Sequence, residues 1–546
     1  MNKYYSGNLY SDYSLGIGNH SLYFLAGYQL EYTHFFRLNG YRNDLINENI
    51  LSLNAATGEN LNASDNETEW SNEGYFVRFS YNFLEKYLFE FNGRYDGSSR
   101  FPKDVRWGFF PSVSAGYNVA KESWFKSLNP VIDMMKLRAS YGRLGNSNVA
   151  DYYSPSMSKA KTDYIGANGN FLDYIYAPGL GNYSITWEKP TTFNLGLDLA
   201  MFNNRFQTNF DWFIRKTIDM IGPSEPLPKV LGVEVPNANN TEMRGTGWEW
   251  SLMYRGVVKD FKYQANLSVS RHREKVTKYY NPQGLFDTYY KGKILGEIWG
   301  YETVGMINDE ETLSTMANQS QISSHSWALG DIQYKDQLTV DTDGDGIPDA
   351  GDGKIMRGNR TIDNPGDLVR IGNRTPDFEY NVILACEYKG LDLRLFFRGI
   401  GPTDWWPDEG QGSFSSNTSR IFFGNSNNYF NHSVLKEHLD HWTPETPNAY
   451  YPRVLIFNNN NITQKNNQVQ TRYLQNLAYL RLKNIQFGYT LPERWCRPLL
   501  IKSARFYVSG ENLFTLTKLK IFDPETPGLI YPLQKSFSVG VNVTFN

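Results

Sequence analysis

Ser536-Phe-Ser-Val-Gly-Val-Asn-Val-Thr-Phe-Asn546 stands last in the sequence and decides how the rest is read. Phe537, Val539, Val541, Val543 and Phe545 fall on one side, and Ser538, Gly540, Asn542, Thr544 and Asn546 on the other. Alternation with period two is the strand period. One face is wholly apolar and the other small and polar. Both a half-wet soluble sheet and a membrane barrel with lipid outside and water inside give this pattern. The length suits a membrane strand, since about 9–11 tilted residues cross the hydrocarbon. Recurrence along the chain separates the two.

The alternation does recur. Tyr75, Val77, Phe79 and Tyr81 share a face, reverse through Asn82–Lys86, and return as Tyr87, Phe89, Phe91 and Tyr95. Phe193–Leu199 and Phe206–Ile214 flank Phe202-Asn-Asn-Arg205 in the same way. Trp248–Tyr254 reverses across Gly256–Asp260 into Phe261–Val269, and Phe378–Tyr388 across Lys389-Gly390 into Leu391–Phe397. The opposite faces carry Arg78, Arg94, Arg138 and Asp198, which a watery lumen accepts. The parity slips between Leu482 and Ile485, which predicts a bulge. Leu9–Ile17, interrupted by Ser11, predicts a weak first strand, and the polar run up to Glu73 predicts a loop.

About fifteen strands result, and their connections alternate in length. Short turns fall near residues 18, 84, 125, 203, 258, 389 and 495, and long loops near 50, 101, 165, 230, 320, 440 and 523. Outer-membrane barrels have short periplasmic turns and long extracellular loops. The expected fold is therefore all-β: a partial transmembrane antiparallel β-barrel. Phased from its turns, the last strand ends in the periplasm while the first begins outside, and an odd run of that kind cannot close. Residues 1–546 are thus expected to be the C-terminal part of a longer barrel. Met1-Asn-Lys-Tyr-Tyr-Ser-Gly7 has no apolar core or cleavage site, so a signal peptide is expected to be absent.

Composition agrees. Aromatic residues are 16% of the chain, including 38 Tyr, whereas the hydrophobic share is only 40% and mean hydropathy is −0.52. A barrel accommodates both, because only every second strand residue meets lipid. No stretch reaches about 18 uninterrupted apolar residues, which excludes a spanning helix. A net charge of −3 argues against nucleic acid as a partner. Cys386 and Cys496 form no metal or redox spacing, and a disulfide between them is not expected.

Several runs, taken in order, resemble the SusC/RagA family of TonB-dependent outer-membrane transporters. They are Arg94-Tyr-Asp-Gly-Ser-Ser-Arg-Phe101 with Arg106–Gly116, Leu137–Gly142, Trp187-Glu188 with Asn194–Asp198, and Glu242-Met-Arg244 with Gly247-Trp-Glu249. Gly330-Asp-Ile-Gln-Tyr-Lys-Asp336, Trp442–Asn448, Tyr479–Ile485 and Tyr507–Phe514 follow. The resemblance covers essentially the whole chain. It implies a barrel of about 22 strands with an N-terminal plug, through which TonB acts. It also implies a SusD-like surface lipoprotein as partner and an oligosaccharide or peptide as cargo. The plug is expected to be absent from this chain. The terminal Phe545 resembles the aromatic signal by which barrels are recognised for insertion, although Asn546 follows it.

The sharpest chemical motif is Asp341-Thr-Asp-Gly-Asp-Gly-Ile-Pro-Asp-Ala-Gly-Asp352. Asp341, Asp343 and Asp345 stand at positions 1, 3 and 5 of a calcium loop, Gly346 at the sharp turn, and Ile347 where a carbonyl ligand is needed. Asp349 and Asp352 take positions 9 and 12, and the expected Ca2+ would stiffen a long extracellular loop. Trp405-Trp406 between Pro402 and Pro407 is placed either to stack on a sugar ring or to pack within its loop. His438 and His441 lack a convergent carboxylate and read as surface residues. No nucleophile elbow, HExxH or phosphate loop occurs, so an enzyme is not expected. The leading function is an outer-membrane importer. A secreted β-rich carbohydrate-binding protein, with its apolar faces buried between sheets, and a non-functional truncated fragment stay open on sequence alone.

Overall fold

The computed structural model describes residues 2–149, 159–165, 171–175, 180–228, 230, 235–407, 436–454, 465–520, 522–527 and 533–545. Fifteen antiparallel strands form one sheet, each paired with its neighbours in sequence. They are β1 (Asn2–Ile17), β2 (His20–Arg42), β3 (Leu61–Phe83), β4 (Tyr87–Ser98), β5 (Trp107–Asn118), β6 (Ile132–Arg143), β7 (Lys189–Met201) and β8 (Phe206–Gly222). Then come β9 (Ala238–Val258), β10 (Phe261–Lys278), β11 (Glu379–Tyr388), β12 (Leu391–Ile400), β13 (Tyr479–Thr490), β14 (Ile501–Thr517) and β15 (Ser536–Phe545). No described helix is long and apolar enough to cross a membrane.

The short turns lie where the sequence places them, and they are tight enough to require left-handed backbone. Gly18 has φ 58°, Leu84 and Glu85 have φ 58° and 55°, and Phe202, Asn203 and Asn204 have φ 58°, 59° and 59°. The anticipated bulge is present: the register shifts between Leu482 and Asn484 against β14, and between Phe396 and Phe397 on the facing β12. Two expectations need correction. The weak first strand runs the full length from Asn2 to Ile17. The polar run before Glu73 is not all loop, because β2 and β3 stay paired from His20↔Phe83 out to Arg42↔Leu61. A ribbon that is wet on both faces needs no apolar alternation, so period-two reading cannot detect it.

The apolar rows face outward. Phe537, Val539 and Phe545 are 76%, 84% and 70% exposed, and Leu9, Tyr75, Val77, Phe89 and Trp212 are likewise open. Among the described residues no second sheet covers them, where the soluble reading expects the apolar faces to be buried between sheets. Cross-strand rings stabilise this wall, with Tyr87 on Tyr117 at 5.3 Å and Tyr95 on Trp107 at 4.9 Å. Such pairs contribute about 0.2–1 kcal/mol each.

The largest dry core lies outside the sheet. The connections between β10 and β11 and between β12 and β13 fold together at the long-loop end. There they bury Tyr301, Ile332, Tyr334, Ile355, Trp406, Trp442, Tyr451 and Tyr473. A smaller cluster of Phe101, Phe110, Ile185 and Trp187 ties the β4–β5 loop to the segment before β7.

Candidate functional site: the lumen wall and the loop mound

The inward face of the sheet is an ion-paired wall. On β6, Arg138 reaches two acids on the next two strands. Its Nε and Nη2 donate to Asp198 at 2.9 and 2.8 Å, and its Nη1 and Nη2 to Asp211 at 3.0 Å each. Asn209 donates to Asp198 at 2.8 Å, and Lys136 lies 3.5 Å from it. Register explains the cluster, since Arg138 lies opposite Gly196, and Gly196 opposite Asp211. A Cβ at Gly196 would stand 2.6 Å from the Arg138 guanidinium, so the glycine leaves the channel through which the fork reaches both acids. Of the other inward residues read from sequence, Arg78 pairs with Glu90 at 2.5 Å, and Arg94 pairs with Asp96 at 2.9 Å and donates to Gln29 at 3.1 Å. Arg505 of β14 forks onto Asp392 of β12 across the intervening strand. A groove of about 460 Å³ runs along this wall past Ser80, Glu90, Ser114, Lys136, Arg138 and Asn194.

Asp331 is the hub of the mound. It is fully buried, and its two oxygens accept from Arg453 at 2.7 and 3.0 Å, Lys465 at 2.7 Å, Asn466 at 3.1 Å and the Ala328 N–H at 3.0 Å. Burial pulls the Lys465 ammonium below the usual lysine range, against the opposing pull of Asp331. Around the hub, Tyr334 donates to the Lys465 carbonyl at 2.6 Å, and Asn466 accepts from the Ile332 N–H at 2.9 Å. The two loops are thus cross-linked through residues some 130 positions apart, as Lys465 and Asp331 are by 134. A second hub is Arg481, 2% exposed, which binds Asp523 at 2.6 Å and Glu525 at 2.7 Å and so ties the β14–β15 loop to β13. Neither Asp331 nor Arg481 carries a chemical motif of its own. Both stand inside the runs Gly330–Asp336 and Tyr479–Ile485, and that placement was the only available signal.

The aspartate loop is partly assembled. Carboxylate oxygens of Asp341, Asp343 and Asp345 lie within 4.8 Å of one another on exposed side chains. Asp341 accepts from the Gly344 and Gly346 N–H groups at 2.7 and 2.8 Å, which hold it below the usual carboxylate range. Gly344 and Gly346 have φ 78° and 87°, where a side chain would be strained. The remaining candidates stand apart. Asp349 is engaged by Thr342 N–H and hydroxyl at 3.0 and 2.6 Å, Asp352 accepts from Lys354 N–H at 2.8 Å, and the Ile347 side chain is exposed.

Trp406 is not a platform for a sugar ring. It is 1% exposed inside the mound core, because the chain folds back through a short pairing of Trp405 with Gln475. Trp405 meets Phe522 edge-on at 5.6 Å. The two tryptophans therefore pack the loop. His441 is partly buried beside Tyr451, and the side chain of His438 lies outside the described residues. Cys386 and Cys496 are free thiols. Phe545 pairs opposite Ile501 and projects outward, and Asn546 lies outside the described residues.

Comparison with known proteins gives this geometry a family. Residues 1–337 match the model for the TonB dependent receptor-like β-barrel. TonB-dependent receptor P3 of Formosa agariphila is 28% identical over 98% of this chain and 52% of its own length. TonB-dependent receptor SusC of Bacteroides thetaiotaomicron is 27% identical over 86% of the chain and 43% of its length. The structure of the RagAB peptide transporter superimposes with a TM-score of 0.77 at 23% identity, covering 99% of this chain and 55% of that one. The chain thus spans about half the length of the relatives it matches, and those relatives are receptors and transporters, not enzymes. Fifteen meandering strands, short turns at one end, a folded mound at the other and a family match over most of the sheet place the chain in the TonB-dependent receptor-like β-barrel family, as a SusC/RagA-like barrel.

Proposed function

We propose that this chain forms the barrel portion of an outer-membrane, TonB-dependent importer of oligosaccharides or peptides, working with a SusD-like surface lipoprotein. The observation that carries the reading is the pairing of an ion-paired, water-compatible inner wall with a folded mound at one end only. Among the described residues the outer edges of β1 and β15 have no strand partner, so strands and a plug from elsewhere in the protein would complete the barrel. Capture beneath the lipoprotein lid would precede plug rearrangement driven through TonB. Deleting the full-length gene is expected to abolish uptake of a labelled cognate oligosaccharide or peptide, and loss of TonB to reproduce the defect. Undiminished uptake from a panel of glycans and peptides in both strains would refute the proposal.

The aspartate loop is proposed as a Ca2+ site that stiffens the mound. Asp341, Asp343 and Asp345 already converge, and a cation would draw in the Ile347 carbonyl, Asp349 and Asp352. Terbium luminescence on the full-length protein should report binding that Ca2+ competes away. Asp343→Asn with Asp345→Asn should weaken it about tenfold or more. Because the Asp341 pKa is depressed in the folded loop, its stabilisation is complete above the usual carboxylate range. It is lost only as pH falls through the lower, folded value, so affinity should be insensitive to that proton near neutrality. Equal terbium binding by wild type and double variant would end the proposal.

A further inference from the structure

The outer wall carries a group of cations apart from the ion-paired inner wall. On β8–β10 the inward face is the one that carries Asp211, paired with Arg138, and Phe213, Gly247, Gly245 and His272 share it: a Cβ at Gly247 would meet the Phe213 ring, and one at Gly245 the His272 ring. Trp212, Lys216, Arg244, Thr246, Trp248, Arg271, Arg273 and Lys275 therefore point outward, and no register shift intervenes among them. Counting about ten residues up from the short turns, the distance a tilted strand needs to cross hydrocarbon, reaches Lys216 on β8, Trp248 on β9 and Arg271 on β10. Aromatic Trp212 and Trp248, directly opposite each other, mark the interface, and the cations begin at that level and continue above it.

Arg244, Thr246, Arg271, Arg273 and Lys275 line a cavity of about 760 Å³ between the outer wall and the segment before β11, which Arg370, Glu274, Glu297 and Asp404 also border. Two of its cations are already paired, and its carboxylates have partners of their own. Asp377 takes Arg271 and Arg273 at 3.0 and 2.8 Å, Glu274 faces His272 at 3.0 Å, Glu297 takes the Tyr290 hydroxyl and the Trp299 N–H, and Asp404 accepts from the Asn373 N–H. Arg370 lies 3.8 Å from Glu297. Arg244 and Lys275 stand directly opposite each other in register, and neither has a carboxylate within 4.0 Å among the described residues. Like charges directly opposite on neighbouring strands destabilise a sheet unless an anion lies between them.

We infer that this cavity binds the phosphate-bearing headgroup of an outer-leaflet lipid, with Arg244 and Lys275 as its principal cations. Charge, depth in the membrane and outward aim agree on that occupant, since cationic clusters at a membrane surface attract anionic headgroups. The inference rests on the outer-membrane reading. The test uses the full-length protein extracted from membranes in detergent, with a fluorescent bis-phosphorylated lipid A as probe. Arg244→Gln with Lys275→Gln should weaken retention by roughly tenfold or more. Lys389→Gln, at the short-turn end, should leave it unchanged, and millimolar inorganic phosphate should not displace the probe. Equal retention by wild type and double variant overturns the inference. Displacement by inorganic phosphate also overturns it, by making the cavity a small-anion site. A protein found outside the membrane, with no heat-modifiable band in gels, fails the membrane reading itself and is distinguishable from either result.

Discussion

Asp331→Ala is expected to open the mound while the fifteen strands stay paired. The substitution strands Lys465, 1% exposed, and leaves Arg453 without its bidentate acceptor. Removing one partner from a buried ion pair costs about 3–5 kcal/mol, because the remaining charge is left uncompensated in a dry site. Arg453 is partly exposed, so most of that cost falls on Lys465. Limited proteolysis of membranes containing the full-length protein should cut the variant within residues 279–378 or 401–478. The same sample should keep its heat-modifiable barrel band. Asp331→Asn, which keeps the shape and loses the charge, should fall between the two. Wild-type protease resistance in Asp331→Ala would show that the loops do not depend on this hub.

Phe545→Ser is expected to lower the amount of assembled barrel far more than Phe537→Ser. Both rings sit on the outward face of β15, at 70% and 76% exposure, so both changes lose similar lipid contact, about 2 kcal/mol. Only Phe545 occupies the end of the strand where the proposed assembly signal lies. Quantifying the heat-modifiable form in isolated outer membranes separates the two effects. Equal losses would reduce Phe545 to an ordinary lipid-facing residue.

Most of the sheet was legible because a barrel strand repeats one physical fact at every second residue. Rows such as Phe537–Phe545 and Tyr75–Tyr81 carry that fact in a few side chains, and the short turns supply its phase. The mound was not legible for the opposite reason. Its contacts join Asp331 to Lys465 and Trp442 to Asn308, pairs 134 residues apart in both cases, and no local period announces them. The paired tryptophans illustrate the same limit. From sequence, Trp405 and Trp406 fit a sugar platform but lean toward packing, and the fold-back that pairs Trp405 with Gln475 favours the core. In the aspartate loop, three of the six residues picked out by spacing already converge without a cation. A local turn brings Asp341, Asp343 and Asp345 together, whereas Asp349 accepts from Thr342 and Asp352 from Lys354.

The matched pairs along the inner wall have a consequence for what passes beside them. Arg78 with Glu90, Arg505 with Asp392, and Arg138 and Lys136 together with Asp198 and Asp211 place balanced opposite charges within about 3.5 Å, so from the middle of the lumen each group looks like a dipole rather than an ion. The field of a dipole fades faster with distance than that of a single charge, and salt screens what is left. Where the wall is paired in this way, it does not sort traffic by sign. Discrimination then falls to the surfaces that touch cargo before it enters, and changing the ionic strength should alter capture at the mound more than flow along the wall.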